Sequence, residues 1–187
     1  MNYFAENEYL IRKKFFKIFG DAFHVHDSHG RVVAYSRLKA FRLKEDVRIY
    51  TGEDMTQEIF RISARSVIDF SAGYDVTDSK TGERIGVLKR KGFKSIFRDE
   101  WIVFDKSETE IGIIQEDSAM MAFLRRFLSD LIPQSFECFC YGEKACSFDQ
   151  QFNLLILKVK IRFQKNVQVD RRLLMAAGTL LCAIEKQ

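Results

Sequence analysis

Proline is almost missing from this chain: one residue in 187, at Pro133. A Pro-rich linker is thereby excluded, and no Gly/Ser tract supplies a flexible one, so residues 1–187 read as one domain. Long apolar runs are missing too. The most apolar stretch is Leu173-Leu174-Met175-Ala176-Ala177-Gly178-Thr179-Leu180-Leu181-Cys182-Ala183-Ile184. As a helix it rises about 18 Å, well short of a hydrocarbon core of about 30 Å, which argues against a transmembrane span. The segment 1–9 carries Glu6 and Glu8 and no basic stretch followed by an apolar one, which argues against a secretory leader. Cysteine occurs only four times, too sparse for a disulfide scaffold, so reduced thiols and a cytoplasmic compartment are expected. Catalytic signatures are lacking as well: no nucleophile elbow, no phosphate-cradling glycine loop, no HExxH. Carboxylates abound, but nothing pairs them as acid and base. A non-enzyme without a cofactor is the expectation.

What is present is the composition of a globular protein, 47% hydrophobic and 30% charged, with 18 phenylalanines. A net charge of +4 biases the chain mildly toward anionic partners.

Three stretches share one phrase: Phe23-His24-Val25-His26-Asp27-Ser28-His29-Gly30-Arg31-Val32-Val33-Ala34, Tyr74-Asp75-Val76-Thr77-Asp78 through Ile85-Gly86, and Trp101-Ile102-Val103-Phe104-Asp105 through Ile111-Gly112. An aromatic and a Val two apart share one face of a pleated strand. The Asp and its polar followers then close a turn through side-chain hydrogen bonds, so each phrase predicts a β-hairpin. Gly30 and Gly82 supply positive φ; the third copy lacks that glycine, which predicts a different turn there. The small residues on the return strands, Ala34, Gly86 and Gly112, suit tight bends or close backbone approach.

Residues 9–19, 38–50, 58–64, 134–141 and 148–163 also read as strand, with strict alternation in Leu157-Lys158-Val159-Lys160-Ile161-Arg162-Phe163. Two segments read as helix: 117–132, ended by Pro133, and the C-terminal run opened by Asp170 as N-cap. In the latter, Leu173, Ala176, Ala177, Leu180 and Leu181 form one face, and Leu174, Met175, Gly178 and Cys182 make the opposite face apolar too. A helix apolar all round is a buried one. Ten or so strands and such a helix predict a mainly β protein, a closed or nearly closed antiparallel barrel with the helix threaded through its middle.

Several phrases carry a family resemblance. They are Tyr9-Leu10-Ile11-Arg12-Lys13-Lys14, Phe60-Arg61-Ile62, Tyr74-Asp75-Val76-Thr77-Asp78, Ile85-Gly86-Val87-Leu88-Lys89-Arg90-Lys91, Phe97-Arg98-Asp99-Glu100-Trp101 and the terminal helix. In this order the chain resembles the LURP-one-related branch of the tubby C-terminal-like superfamily, with phospholipid scramblases as more distant relatives. The resemblance implies about twelve antiparallel strands closed around a central apolar C-terminal helix. For function it implies contact with phospholipids or their headgroups, with scramblase-like activity as a lesser expectation.

Candidate sites are few. Lys89, Arg90, Lys91, Lys94 and Arg98 form a basic cluster interleaved with Phe93, Ile96 and Phe97. It reads either as an anionic headgroup contact or as a solvated strand edge; nucleic acid is a less favoured polyanion. Lys158, Lys160 and Arg162 read as a plain outer face. His24, His26 and His29 with Asp27 resemble a metal cluster, but the matching hairpin slots hold Asp75, Thr77 and Lys80, so ordinary outward and turn positions are expected and no metal. Cys138, Cys140 and Cys146 read as small packing residues, and Asp105 to Glu116 echoes a calcium loop but has Glu110 where glycine is needed. The leading expectation is a cytoplasmic barrel, peripheral to membranes, binding phospholipid or phosphoinositide headgroups; a protein-interaction or scaffold domain is the alternative.

Overall fold

The computed structural model describes residues 3–16, 20–38, 46–66, 73–91, 100–116, 133–151 and 156–184. Twelve strands run in chain order: β1 (Glu8–Phe16), β2 (Gly20–His26), β3 (Val32–Leu38), β4 (Asp46–Tyr50), β5 (Glu58–Ala64), β6 (Tyr74–Asp78), β7 (Arg84–Arg90), β8 (Glu100–Phe104), β9 (Glu110–Glu116), β10 (Ser135–Cys140), β11 (Glu143–Gln151) and β12 (Leu157–Phe163). Each pairs antiparallel with its neighbours in sequence, and β1 pairs with β12 from Glu8↔Arg162 to Lys13↔Leu157, so the sheet closes into a barrel. Closure leaves no free sheet edge. The interior row of each strand is legible as alternation: in β12, Leu157, Val159, Ile161 and Phe163 are buried while Lys158, Lys160 and Arg162 lie outside.

Several strand boundaries differ from the sequence reading. The single strand expected over 148–163 is two, β11 and β12, and the one expected over 38–50 is the end of β3 and then β4. The helix expected over 117–132 lies outside the described residues.

All three expected hairpins form, as β2–β3, β6–β7 and β8–β9. In each, a register shift immediately precedes the aspartate: between Val25 and His26, Val76 and Thr77, Val103 and Phe104. The turn chemistry corrects one expectation. In the first turn Asp27 Oδ1 accepts from the amides of His29 (3.0 Å) and Arg31 (2.8 Å), and the Gly30 amide donates to the Asp27 carbonyl. In the third, Asp105 Oδ1 accepts from Ser107 (2.8 Å) and Thr109 (2.9 Å), and the Glu108 amide donates to the Asp105 carbonyl. The two turns are the same, with Glu108 at φ 63° in the slot of Gly30 at φ 79°. The second turn is the different one, longer by a residue, with Asp78 donating to the Glu83 carbonyl. The aspartate dictates the turn, and the left-handed residue follows.

Close backbone approach explains two of the small residues. A Cβ at Gly112 would lie 2.2 Å from the Phe139 carbonyl oxygen, and one at Gly86 would lie 2.5 Å from that of Phe104.

The C-terminal helix α1 (Arg171–Ile184) fills the barrel, with residues 173–183 buried. Asp170 caps it: its Oδ1 accepts from the Arg172 amide at 2.9 Å, as the sequence predicts. At the helix waist Gly178 faces β12, β11 and β1, where a Cβ would meet Ile161, Phe148 and Ile11. Among the described residues no helix is long and apolar enough to cross a membrane. Arginines in a helix's first turn oppose its dipole, and both have other employment. Arg171 donates to the carbonyls of Phe4, Ala5 and Glu6 and to Asn7 Oδ1, and lies over the Phe163 ring. Arg172 pairs with Asp170 and with Asp78 of the second hairpin. The N-terminal segment so held delivers Phe4 into the core against Tyr9 and Phe60.

Candidate anion-binding surface

Because the helix occupies the barrel interior, ligand chemistry has to be sought outside it. The gap beside Leu181, lined by Phe136, Phe148, Leu157 and Val159, is about 20 Å3, room for roughly one water.

Antiparallel up-and-down order sorts the turns between two ends. One end carries the turns after β2, β4, β6, β8 and β10 and the start of α1. It carries the carboxylates Asp27, Glu53, Asp54, Asp78, Glu83, Asp105, Glu108 and Asp170, and among them the cations Arg31, Lys80, Lys106, Arg171 and Arg172. Toward the other end lie the last residues of β1, β3 and β7 and the first of β12, and with them Lys14, Arg37, Lys89, Arg90, Lys91 and Lys158, alongside the carboxylates Asp21, Asp46, Glu100 and Glu116.

The predicted basic cluster is only partly one surface. Strand alternation splits Lys89, Arg90 and Lys91: Lys89 is exposed, opposite Ile102, whereas Arg90 is partly buried, opposite the buried Trp101, in the row of Gly86 and Leu88. Lys91 is exposed but donates to Glu100 at 2.9 Å, a bond that raises its pKa. Lys94 and Arg98 lie outside the described residues.

Cations of β1 contribute beyond the predicted set. Lys13 is buried and pairs with Asp21 at 2.9 Å, its ammonium 5.7 Å from the Phe23 ring. Arg12 and Lys14 alternate with it on the outside, and Arg12 is the direct cross-strand partner of Lys158. The signal for this was in the alternating Arg12-Lys13-Lys14, but which strand faces β1 becomes known only once the barrel closes. Of the outer row on β12, Lys160 pairs with Glu8 at 2.7 Å and Arg162 with Asp149 at 2.5 Å.

The remaining sequence candidates have structural partners. His24 Nε2 lies 2.9 Å from Glu53 Oε1, and His26 Nδ1 lies 3.1 Å from the Gly30 carbonyl. His24 is buried, which together with Lys14 holds its pKa below the usual imidazole value despite Glu53. Cys138, Cys140 and Cys146 are buried free thiols of the interior row, with the sulfurs of Cys138 and Cys140 3.7 Å apart. Their hydrogen bond favours the Cys138 thiolate, but Cys146 and burial outweigh it and push that thiol up; the same bond and burial push Cys140 up. Asp105 is spent on its turn amides, and Glu116 is buried at the end of β9, so the two share no calcium loop.

At the acidic end a cleft of about 730 Å3 lies between the N-terminal segment, the second hairpin and the start of α1, lined by Tyr3, Gln57, Lys80, Asp170 and Arg171 among others. Its arginines are committed to Asp78, Asp170 and backbone carbonyls, so its electrostatics are balanced.

Comparison with known proteins accords with this geometry. No curated protein sequence matches the chain. Among solved structures it is similar to a crystal structure of a protein from Arabidopsis thaliana, with a TM-score of 0.57 over 97% of this chain and 94% of that one at 11% identity. That likeness is one of fold. The family model of the LURP-one-related proteins matches residues 32–181, from the start of β3 into α1, and the chain belongs to the LURP-one-related family.

Proposed function

We propose that this barrel is a non-enzymatic binding module that docks on anionic phospholipid headgroups, phosphoinositides included, through its basic end. The observation that carries the reading is the group of outward cations toward this end, Lys14, Arg37, Lys89 and Lys158. Such a group orients the molecule in the field of an anionic surface. Each Lys or Arg near that surface contributes about 1 kcal/mol, so Lys14, Arg37, Lys89 and Lys158 together contribute about 4 kcal/mol. That corresponds to roughly millimolar affinity, so docking is reversible and salt-sensitive. The non-enzymatic part of the reading is supported by the cysteines, which are buried, with the Cys138 and Cys140 thiols pushed toward protonation. The reading entails peripheral association at a cytoplasmic membrane face.

Liposome co-sedimentation across lipid composition and salt tests it. Binding is expected to require anionic lipid, to weaken as salt rises, and to weaken about fivefold on Lys89→Ala and further when Arg37→Ala is added. Failure to bind any anionic vesicle overturns it and leaves a protein-binding role.

A further inference from the structure

Closure of the barrel sets Arg12 of β1 directly opposite Lys158 of β12, on the outer wall. Like charges facing each other across an antiparallel pair repel. Elsewhere on these two strands the outward cations have carboxylates: Lys160 and Arg162 both approach Glu8, at 2.7 and 3.6 Å. Arg12, Lys158 and Lys14, the next outward residue of β1, have none among the described residues. Two further polar atoms sharpen the point. The Arg12 Nε–H is buried without an acceptor, and so is Nδ1 of His24, the cross-strand partner of Arg12 on β2, without a partner. A buried guanidinium N–H facing no acceptor is costly, and the same strip concentrates positive charge from three side chains.

We propose that this strip, between Arg12 and Lys158 with Lys14 at its margin, binds a phosphate group. A phosphate dianion supplies what the wall lacks. Its tetrahedral oxygens accept from the terminal N–H groups of the Arg12 guanidinium and from both ammonium groups, and its charge offsets the Arg12–Lys158 repulsion. A single carboxylate has one charge and two oxygens for these three donor groups. The inference deepens the headgroup-binding reading and rests on it only for the source of the phosphate, a lipid headgroup or a soluble phosphate compound.

The test titrates inorganic phosphate into the full chain while following the Arg12 Nε–H resonance by NMR and the affinity by calorimetry. Saturable binding that shifts this resonance is expected. Lys158→Gln should weaken it about tenfold or more, the loss of one charge-assisted bond. Lys160→Gln, which removes a neighbouring paired cation, should change it less than about twofold. In the absence of phosphate, Lys158→Gln should be no less stable than the parent, which separates a ligand role from a folding one. An unmoved Arg12 resonance, or an equal effect of Lys160→Gln, overturns the inference. Phosphatidylcholine vesicles with and without phosphatidic acid identify the source. Capture that depends on phosphatidic acid and Lys158 assigns the lipid, and phosphate binding without capture assigns a soluble compound. Vesicle binding that survives Arg12→Gln with Lys158→Gln but is weakened by Lys89→Ala with Arg37→Ala overturns this site while sparing the headgroup reading.

Discussion

The carboxylate of Glu108 accepts a hydrogen bond from Arg84 at 2.6 Å while its own backbone stands in the left-handed region at φ 63°. It also holds Arg65, at 2.9 Å, and both arginines retain Asp75 as a second partner. In the matching turn the same slot is a glycine, Gly30. Glu108→Gly should therefore raise Tm by about 2 °C or more, since backbone relief outweighs the loss of solvent-exposed ion pairs. Glu108→Val, β-branched at positive φ, should lower it. Circular-dichroism melts that rank Val at or above Gly would show that the side chain, not the backbone, governs this turn.

Gly112 and Gly178 should answer differently to the same change. At Gly112 the added methyl meets a backbone oxygen of the adjoining strand at 2.2 Å, which cannot yield without shifting the sheet. Gly112→Ala should cost about 2–3 kcal/mol. At Gly178 it meets the Cδ1 of Ile161 at 2.6 Å, the end of a side chain, and the helix gains about 1 kcal/mol in propensity. Gly178→Ala should stay within about 1 kcal/mol of the parent in urea melts. Equal costs at the two positions would contradict the packing described.

Arg171 ties the N-terminal segment to the helix through three carbonyls and Asn7. Arg171→Ala should cost about 2 kcal/mol and expose residues 3–7 to limited proteolysis. Arg171→Lys should not restore protection, because one ammonium cannot reproduce the planar fork. Unchanged cleavage in the Ala variant would mean that Phe4 and the hydrogen bonds of Tyr3, Glu6 and Asn7 anchor the segment without it.

The carboxylates of the acidic end give stability a defined pH course. Hydrogen bonds from Arg65 hold Glu108 below the usual carboxylate range, and Lys160 does the same for Glu8. Burial pushes Asp78 up, but the Thr81 amide and Arg172 more than offset it, and Asp27 is lowered in the same way by Arg31. A group with a depressed folded pKa contributes stability that is present above its unfolded pKa and lost as pH falls through the folded one. Tm should begin to fall below about pH 6.5, where the buried His24 resists the protonation that the unfolded chain accepts, and drop further between about 4 and 2 as the carboxylates protonate. Asp78→Asn should flatten that drop; an unchanged slope would remove Asp78 from the account.

Much of this fold was legible in the sequence because its signals are local. Alternation from Leu157 to Phe163 marks a strand with one buried face, and all-round apolarity from Leu173 to Cys182 leaves a helix only the interior. The repeated aspartate marks hairpins for the same reason. What escaped depends on pairing between distant segments. That Asp105 builds the turn of Asp27 with glutamate in place of glycine is a matter of hydrogen bonds, not of residue type at one slot. That Arg90 shares the row of Leu88 follows from pleat parity, which a run of three cations conceals. Arg12 meets Lys158 only through the closing pair, more than a hundred residues apart in sequence.

That closing pair also sets an order of events during synthesis. β1 finds its second neighbour in β12, and the core finds its plug in α1, both supplied by the last thirty or so residues described. Until Ile184 has left the ribosome the nascent sheet has two open edges and an empty middle lined by Phe23, Phe60, Trp101 and Phe148. Such a sheet is prone to edge-to-edge association. Closure and core filling therefore wait on the last strand and helix described, and until these emerge, holding the unfinished sheet apart from its copies is a task for chaperones.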